Sequence, residues 1–388
     1  MKIGIDASNL RAGGGVTHLV SLLNAAEPSA HGVDSVVVWG PAKTLERIED
    51  RPWLIKRHDP ILEKNALRRA WWQRRRLTEL LRENQCNLLF APGGTVLSSF
   101  CPAATMSQNL LPFEWRELRR YGLSLKTLRL LALRSLQARS FKRSAGVIFL
   151  TEYAKSAVLN ISGPLRADIA VVPHGIDERF QHEPCADGRE TADPPETRSL
   201  TFLYVSLFEP YKHQDKVLQA IGIARRQGLD IKIRFVGPAG KSFNRFETLR
   251  RDVDPEGIFV EVVAGVPFSD MPSVYREADI FLFASSCENM PNIVLEAMAS
   301  GLPIICSRMG PMPEVLGDAG LYFDPESHES IEAAIREISL SPSLRREKAL
   351  AAYERSKRFT WTRCANKTFE FLADVTRKYQ NIHAKCHS

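Results

Sequence analysis

The sequence has no hydrophobic run long enough to cross a membrane. None of its apolar stretches approaches the roughly 20 consecutive residues that a transmembrane helix needs. The first residues, MKIGID, read as a strand and lack the pattern of a signal peptide. Seven cysteines, an odd number with no C-x-x-C pair and no Cys/His cluster at metal-binding spacing, indicate reduced thiols. Together these absences predict a cytoplasmic protein.

Length and composition fit a soluble protein of two domains. A chain of 388 residues is too long for one ordinary core and suits two domains of about 180 to 200 residues. Hydrophobic residues make up 44% and charged residues 25% of the chain, which is typical of globular proteins.

Strand and helix patterns alternate along the chain, as they do in parallel α/β sheets. The predicted strands are 2–6, 35–39, 88–91, 104–107, 146–150 and 169–172, then 201–205, 231–236, 258–263, 279–284 and 303–306. The main predicted helices of the first half are 16–24, 68–83, 125–143 and 152–159. We predict an α/β fold with two Rossmann-like domains, 1–180 and 200–360, joined by a polar linker at 181–199. Ligands of such sheets bind at the carboxyl ends of the strands, so a cleft between the halves is expected there.

The segment CENMPNIVLEAMASGLP, residues 287–303, carries the most information about function. Pro291 suits the first position of a helix, where its missing N–H costs nothing. Glu288 then precedes the helix, and Glu296 lies one to two turns inside it. The free N–H groups of the helix start and the positive end of its dipole form a binding site for a phosphate or diphosphate.

Three interpretations of the two glutamates remain open from the residues alone. One is a helix cap beside a solvated glutamate. Another is the acid and base pair of a glycoside hydrolase, which needs two carboxyl groups about 5 to 10 Å apart on opposite sides of a sugar. The third is an anionic sugar nucleotide on the helix start, with carboxylates accepting hydrogen bonds from hydroxyl groups.

Residues 265–325, from GVPFSDMPSVY to AGLYFDP, resemble the C-terminal half of the retaining glycosyltransferases of family 4. That family has the GT-B fold, and its two glutamates form an E-x7-E signature. The resemblance implies that Glu288 touches the donor sugar and that Glu296 binds the ribose hydroxyls. Weaker similarity extends over nearly the whole chain. It includes a helix that opens at Trp361, runs to about 379 and crosses back to the first domain, followed by a disordered tail within 361–388.

The resemblance also implies where the donor phosphates bind. Lys212 matches a lysine that contacts them, and a fixed cation stabilises a departing diphosphate. The family commonly has an arginine six residues earlier, where this chain has Ser206. Lys241, Arg245 or the helix start could replace that charge. The donor-binding residues implied are Glu296, Gly13, Gly14, Gly15, Ser206, Gly237, Val266, Asn289, Met290, Pro291, Asn292 and Ile293.

In the first half, the glycine loop 13–15 follows the first strand. Glycines let backbone N–H groups approach an anion or a sugar closely, although a plain flexible loop is the alternative. Gln108 and Asn109 stand where many relatives have a histidine near the donor sugar, and either amide can bond a hydroxyl or assist a leaving group. Gly175, in VVPHGID, is predicted to need positive φ in a turn.

The mechanism implied is transfer with retention by front-side displacement, in which Glu288 and Lys212 act at the reacting groups, assisted by Gln108 and Asn109. We expect no cofactor and no metal. The substrates expected are a nucleotide-sugar donor, UDP- or GDP-linked with mannose as the preferred sugar, and a saccharide acceptor that is lipid-linked. The context expected is bacterial surface polysaccharide biosynthesis, including lipopolysaccharide. The alternative is a nucleotide-sugar epimerase of the same fold or a catalytically weak binding subunit.

Positive charge is concentrated in the first half. Residues 1–190 contain 27 Lys and Arg against 19 Asp and Glu. The charge is densest at 64–82, beside Trp71 and Trp72, and at 116–143. Solvated helix faces are one interpretation; docking on an anionic bilayer, helped by interfacial tryptophans and leucines, is the other. No recognised nucleic-acid-binding module accompanies the charge. We therefore expect peripheral attachment to the inner face of the membrane.

Overall fold

The computed structural model describes residues 1–184 and 199–385. Most of the predicted linker, 185–198, and residues 386–388 of the predicted disordered tail HAKCHS lie outside the described residues. The described residues form two compact units, each built on one parallel sheet.

The first unit contains a seven-stranded parallel sheet in the order β3-β2-β1-β4-β5-β6-β7. Its strands are β1 Lys2–Asp6, β2 Ser35–Trp39, β3 Leu54–Arg57, β4 Leu88–Ala91, β5 Ala103–Met106, β6 Gly146–Phe149 and β7 Asp168–Val171. The helices between them are α1 Gly14–Asn24, α2 Ala42–Leu45, α3 Ala66–Glu83, α4 Trp115–Arg119, α5 Leu125–Arg143 and α6 Glu152–Ser162. Strands β4, β5 and β6 are buried throughout, as expected of apolar strands covered on both faces.

The second unit contains a six-stranded parallel sheet in the order β10-β9-β8-β11-β12-β13. Its strands are β8 Leu200–Val205, β9 Ile231–Val236, β10 Val260–Val263, β11 Ile280–Phe283, β12 Ile304–Ser307 and β13 Gly320–Phe323. Its helices are α7 Gln214–Arg226, α8 Phe243–Val253, α9 Met271–Arg276, α10 Asn292–Ala299, α11 Met312–Leu316, α12 His328–Leu340 and α13 Pro342–Ser356. Two short segments outside the predicted second domain, 116–122 and 176–180, also belong to this unit.

The C-terminal helix α14, Trp361–Lys385, belongs to the first unit and packs against α1, β4 and β6. Its contact with β6 is close, because a Cβ atom on Gly146 would lie 2.8 Å from Val375 Cγ2. The helix continues six residues beyond the predicted end near 379. Phe369 is buried in this packing, whereas Trp361 and Phe371 keep some exposed surface.

The reason predicted for a glycine at position 175, a turn that needs positive φ, was wrong. The residue is not at positive φ. A Cβ atom at this position would lie 2.2 Å from the backbone nitrogen of Trp361, where α14 begins. Glycine is therefore required by the close approach of two backbones, and not by a left-handed turn.

Candidate functional site

Three loops of the second unit leave the carboxyl ends of neighbouring strands. They follow β9, β8 and β11, which are adjacent in the sheet, and all strands of this sheet are parallel. The loops therefore meet at one edge, the usual position of ligands in such sheets. They carry most of the predicted site residues of this unit.

A buried ion pair joins two of these loops. The Lys212 ammonium donates a hydrogen bond to Glu288 Oε1, and the Ser285 hydroxyl donates to the same oxygen at 2.5 Å. Only 9% of the Lys212 side chain and 15% of the Glu288 side chain are exposed. The ammonium also lies 4.8 Å from the centre of the Phe283 ring and 5.3 Å from that of Tyr211. The two residues predicted to act at the donor sugar and its phosphates are thus in direct contact.

The Lys212 loop is fixed by several buried polar groups that the sequence patterns did not indicate. The Tyr204 hydroxyl donates to the Lys212 carbonyl, and the Tyr121 hydroxyl donates to Glu209 Oε2 at 2.7 Å. His213, at φ 51°, lies with Nε2 2.9 Å from the Ser286 hydroxyl. These contacts fix the backbone of the loop that carries Lys212.

Ser206 occupies the position of the expected arginine and is tied to its own loop. Its hydroxyl accepts a hydrogen bond from Gln214 Nε2 at 2.8 Å and lies 3.0 Å from the Leu207 carbonyl. Gly237, on the neighbouring loop, is at φ 151°, and a Cβ atom there would lie 2.1 Å from the Ser206 carbonyl oxygen. The structure therefore brings Ser206 and Gly237 together. Of the suggested substitutes for the arginine, Arg245 is 3.1 Å from Asp215 and largely exposed.

Helix α10 begins one residue later than predicted. Pro291 is its N-cap, with φ −81° and ψ 107°, and Asn292 is the first helical residue. The loop residues before it, Asn289 and Met290, are buried. The Asn292 Oδ1 atom is also buried and has no hydrogen-bond partner among the described residues. A polar atom in this position is suited to bind a ligand donor or a water molecule.

Glu296 lies in the second turn of α10 and is held by α9. The Tyr275 hydroxyl donates to Glu296 Oε2 at 2.8 Å and lies 3.2 Å from the Ile293 carbonyl oxygen. Part of the side chain remains accessible, but burial of the carboxyl group raises its pKa to about 7. The carboxyl group is therefore directed toward α9. Tyr275 was not predicted, since only the folded structure places it here.

Val266 is half-buried in the loop after β10. In the sheet order, β10 is separated from β8 by β9 and is three strands away from β11. The topology thus sets Val266 apart from the strands that carry the Lys212–Glu288 pair. Its assignment to the donor site stays a prediction.

In the first unit, the glycine loop contacts one of the two predicted amides. Gly13 is the N-cap of α1 at φ 73°, and α1 begins at Gly14. A Cβ atom on Gly15 would lie 2.7 Å from Gln108 Oε1. Asn109 stabilises the turn in which it lies, since its Oδ1 accepts a hydrogen bond from the Leu111 N–H at 3.2 Å. The structure thus brings the glycine loop and Gln108 together.

A buried histidine pair lies in the first unit and was not predicted. His18 Nδ1 and His174 Nδ1 are 2.8 Å apart, and the Trp361 ring packs on both imidazoles at 5.6 and 5.9 Å between centroids. Burial lowers the pKa of both, that of His174 to about 4. At neutral pH the pair is uncharged, so one nitrogen donates to the other.

No group of three or more His, Cys, Asp or Glu side chains within residues 1–184 and 199–385 is arranged to hold a metal ion. The chain contains the D-x-D triplet Asp252-Val253-Asp254. Asp254 is 3% exposed, and its carboxylate accepts hydrogen bonds from the N–H groups of Ile258, Phe259 and Val260 at 2.8 to 3.0 Å. This carboxylate therefore fixes a loop of the second unit.

Comparison with known families identifies the class of protein. The model of "Glycosyl transferases group 1" matches residues 190–356, and that of "Glycosyltransferase Family 4" matches residues 12–180. The two matches together span most of the chain. The chain belongs to the group 1 glycosyltransferases of the GT4 type, as the E-x7-E segment predicted.

Curated relatives match over part of their length. A stretch of 170 residues is 30% identical to the O-antigen chain mannosyltransferase B of Escherichia coli and covers 43% of this chain and 44% of that protein. A stretch of 210 residues is 28% identical to a GDP-mannose-dependent alpha-(1-6)-phosphatidylinositol monomannoside mannosyltransferase of Mycolicibacterium smegmatis and covers 50% and 53%. The chain thus spans about half the length of the curated relatives it matches.

Solved structures confirm the predicted GT-B fold. The sucrose-phosphate synthase (tll1590) of Thermosynechococcus elongatus superposes with a TM-score of 0.73 at 17% identity, covering 99% of both chains. Anabaena Alr3699/HepE in complex with UDP and glucose superposes with a TM-score of 0.69 at 15% identity, covering 96% of this chain and 100% of that one. At these identities the likeness concerns the fold alone.

Proposed function

We propose that this protein is a retaining hexosyltransferase. It transfers a hexose from a UDP- or GDP-sugar to a lipid-linked saccharide during bacterial surface polysaccharide biosynthesis. The observation that carries the proposal is the buried Lys212–Glu288 pair at the carboxyl edge of the second sheet, in the loop that leads into α10, whose second turn carries Glu296. The relatives named for mannose transfer support mannose as the hexose, and the neighbour that binds UDP supports a nucleotide donor.

In the proposed reaction, the acceptor hydroxyl attacks the anomeric carbon on the face that the diphosphate leaves. The bond from carbon to the acceptor oxygen forms as the bond to the phosphate oxygen breaks, and the departing diphosphate takes the hydroxyl proton. Lys212 stabilises the charge that develops on the diphosphate. Glu288 orients the donor sugar and stabilises its positive character. Gln108 and Asn109 handle the acceptor or the leaving group through hydrogen bonds, and no metal takes part in this scheme.

Incubation with a panel of UDP- and GDP-sugars tests the proposal. We expect slow hydrolysis of one donor, with retention at the anomeric carbon seen by NMR. The Glu288→Gln variant should lose this activity and keep most of its donor affinity, because it removes charge and little volume. Glu261→Gln, on the surface beside Arg234, is the matched control and should behave as the wild type. Full activity of the Glu288 variant would contradict the assigned role.

A nucleotide-sugar epimerase or a catalytically weak binding subunit is the second candidate. Ser206 favours it, because this residue contributes no positive charge where the family commonly has an arginine. The same panel separates the candidates. A binding subunit would show a thermal shift with a nucleotide and no donor hydrolysis, whereas an epimerase would convert the donor sugar without an acceptor.

We also propose that the first unit docks on an anionic membrane surface. On α3, Leu67 is 82% and Trp71 58% exposed, next to the exposed arginines 74 and 75. Near α5, Leu123, Leu125 and Leu128 are exposed beside Lys126 and Arg129. Apolar side chains at the level of the head groups, flanked by cations, suit an anionic bilayer. None of the helices in residues 1–184 and 199–385 combines the length and apolar content that crossing a bilayer requires.

Flotation with vesicles that contain anionic lipid tests the docking. The wild type should float at low salt, and both added salt and the Leu67→Ser/Trp71→Ser double variant should release it. Ile258→Ser changes a residue of the second unit that is exposed to the same extent as Trp71, 58%, and should float normally. Equal flotation of all three proteins, or none by the wild type, would contradict docking through α3.

A further inference from the structure

The loops around Lys212 contain too little positive charge for a diphosphate. Lys212 is already paired with Glu288, and the carboxylate of Glu209 lies three residues before it on the same loop. One ammonium group, of Lys212, thus stands against the two carboxylates of Glu288 and Glu209, and the sum of these buried charges is negative. Ser206, where the family commonly has an arginine, adds none. A diphosphate bound at this edge therefore requires a further cation to offset its own charge.

A neighbouring loop that carries a lysine is fixed directly on the Ser206 loop. A Cβ atom on Gly237 would lie 2.1 Å from the Ser206 carbonyl oxygen, and one on Gly240 would lie 2.2 Å from that of Phe208. The Ser242 N–H also donates to the Phe208 carbonyl at 3.1 Å. Because the two backbones are in contact along this stretch, Lys241 is held beside the loop that lacks the arginine.

Tyr121 connects this lysine with the Lys212 loop. The Lys241 ammonium lies 4.8 Å from the centre of the Tyr121 ring and 3.4 Å from the Tyr121 carbonyl oxygen. The Tyr121 hydroxyl donates to Glu209 at 2.7 Å, and this tyrosine is 3% exposed. Burial and Glu209 both raise the pKa of the Tyr121 phenol, so that it stays a donor. One buried side chain thus contacts both loops.

The segment that carries Tyr121 is itself anchored on the second unit. Arg120 forms ion pairs with Glu117, at 2.6 Å, and with Glu326. Glu117 is 2% exposed. Tyr121 is therefore held both by the ion pairs of Arg120, the residue before it, and by its own hydrogen bond to Glu209. In contrast, the Lys241 side chain is exposed, and no carboxylate among the described residues forms an ion pair with it. Its charge is available to a ligand.

We propose that Lys241 is the second cation of the donor diphosphate site and replaces the arginine that this chain lacks at Ser206. Tyr121 is a positioning residue, which holds Lys241 through its ring and carbonyl and holds the Lys212 loop through Glu209. The inference rests on the proposed function, because it assigns a residue to the same donor site. It predicts that Lys241 contributes to the binding of phosphates and not to the binding of the nucleoside.

Calorimetric titration with UDP, GDP and the nucleosides uridine and guanosine tests this inference. For whichever nucleotide the wild type binds, Lys241→Gln should weaken the diphosphate about tenfold, about 1.4 kcal/mol, and leave the nucleoside affinity unchanged. Lys241→Arg should restore most of the affinity, and the dependence of affinity on salt should be shallower in Lys241→Gln. Arg245→Gln removes a nearby cation that is 80% exposed and paired with Asp215, and it should change affinity less than twofold.

Tyr121 is tested by a pair of variants. Tyr121→Phe keeps the ring beside Lys241, whereas Tyr121→Leu removes it, so the leucine variant should lose more affinity for the diphosphate and show the shallower salt dependence. If the wild type binds a nucleotide and Lys241→Gln behaves like Arg245→Gln, the inference is overturned and the proposed function stands. If the wild type binds neither UDP nor GDP, the proposed function itself fails.

Discussion

The two units use the same architecture, but the loops at the carboxyl edges of their sheets carry different side chains. In the second unit, the loops after β8 and β11 hold the buried charges of Lys212, Glu288 and Glu209. In the first unit, the loops after β1 and β5 hold glycines 13–15 and the neutral amide of Gln108. A buried charge is tolerated only where a partner offsets its desolvation. The edge of the second unit therefore holds paired charges, and that of the first holds backbone groups and a neutral amide.

Both units bury titratable groups whose pKa values are shifted toward the neutral form. The first unit buries two histidines, whose pKa values are lowered, and the second buries the carboxyl group of Glu296, whose pKa is raised. Each group is neutral in its preferred state, since burial disfavours the charged form of both acids and bases. The histidine pair therefore makes the first unit sensitive to acid. The second unit contains an acid-sensitive group as well, His213, whose pKa burial lowers to about 4, and Glu296 makes it sensitive to base.

The largest expected effect comes from breaking the charged pair of the second unit. Lys212→Ala leaves Glu288 buried without its cation, and we expect it to lower the free energy of unfolding by about 3 kcal/mol and to abolish donor turnover. Urea unfolding and the donor hydrolysis assay measure the two effects. The Lys212→Ala/Glu288→Ala double variant should be more stable than the single one, because no unpaired charge remains. Additive losses would show that the pair is not coupled.

Glycine substitutions compare the two edges directly. Gly237→Ala in the second unit places a Cβ atom 2.1 Å from a backbone oxygen at φ 151°, and neither backbone can yield. We expect a loss of about 2 to 3 kcal/mol in thermal or urea unfolding. Gly15→Ala in the first unit meets only the ends of side chains, Gln108 Oε1 at 2.7 Å and Leu10 Cδ2 at 3.0 Å. It should cost less than about 1 kcal/mol, and the extra change Gln108→Ala should recover most of it. Equal losses at the two glycines would contradict this distinction.

Most of the fold could be predicted from the sequence because central parallel strands are apolar throughout. Strands β1, β2, β4 and β9 have the predicted bounds. Both strands that were missed, β3 and β13, lie at sheet edges, where half-buried residues weaken the apolar signal. The start of α10 was predicted one residue early because a proline is acceptable at both the N-cap and the first helical position.

The sequence could predict only those residues of the candidate site that belong to a recognisable motif. Glu288, Lys212 and Glu296 stand at recognisable spacings, so the resemblance indicated them. Tyr121, Tyr275 and Glu209 form their contacts across 88 and 21 positions of sequence, and no local pattern reports such a contact. The histidine pair is separated by 156 positions. The function of Gly175 was misjudged for the same reason, since its close neighbour is the distant Trp361.

The histidine pair makes the stability of the first unit depend on pH. Because folding lowers both pKa values, the pair contributes stability that is present above about pH 6.5 and is lost as the pH falls toward about 4. Between pH 7 and pH 4.5, the free energy of unfolding of the His18→Leu/His174→Leu double variant should fall by about 2 kcal/mol less than that of the wild type. Urea unfolding at several pH values measures the slope. His328→Leu, at a half-exposed histidine of the second unit, should keep the wild-type slope; an unchanged slope in the double variant would contradict the assignment.

Glu296 should give a smaller effect of pH on stability than the histidine pair, with the opposite sign. Its folded pKa of about 7 is raised above the ordinary value of 4.5, so its contribution to stability is complete below about pH 4.5 and is lost as the pH rises through 7. Glu296→Gln still accepts the Tyr275 hydrogen bond but cannot ionise. From pH 5 to pH 8 the free energy of unfolding of the wild type, measured with urea, should therefore fall by about 1 to 2 kcal/mol more than that of this variant. Glu347→Gln, at an exposed glutamate, is the control.

The same residue then connects stability with binding. If Glu296 accepts hydrogen bonds from ribose hydroxyls, a bound nucleotide favours the ionised carboxylate and lowers its pKa. The affinity for UDP or GDP should accordingly rise several-fold between pH 6 and pH 8 in the wild type and stay flat in Glu296→Gln. Calorimetric titration over this range measures both curves. Parallel curves would mean that the carboxyl group fixes α9 on α10 through Tyr275 and has no contact with the nucleotide, in which case the charges specific to the donor site reduce to those around Lys212.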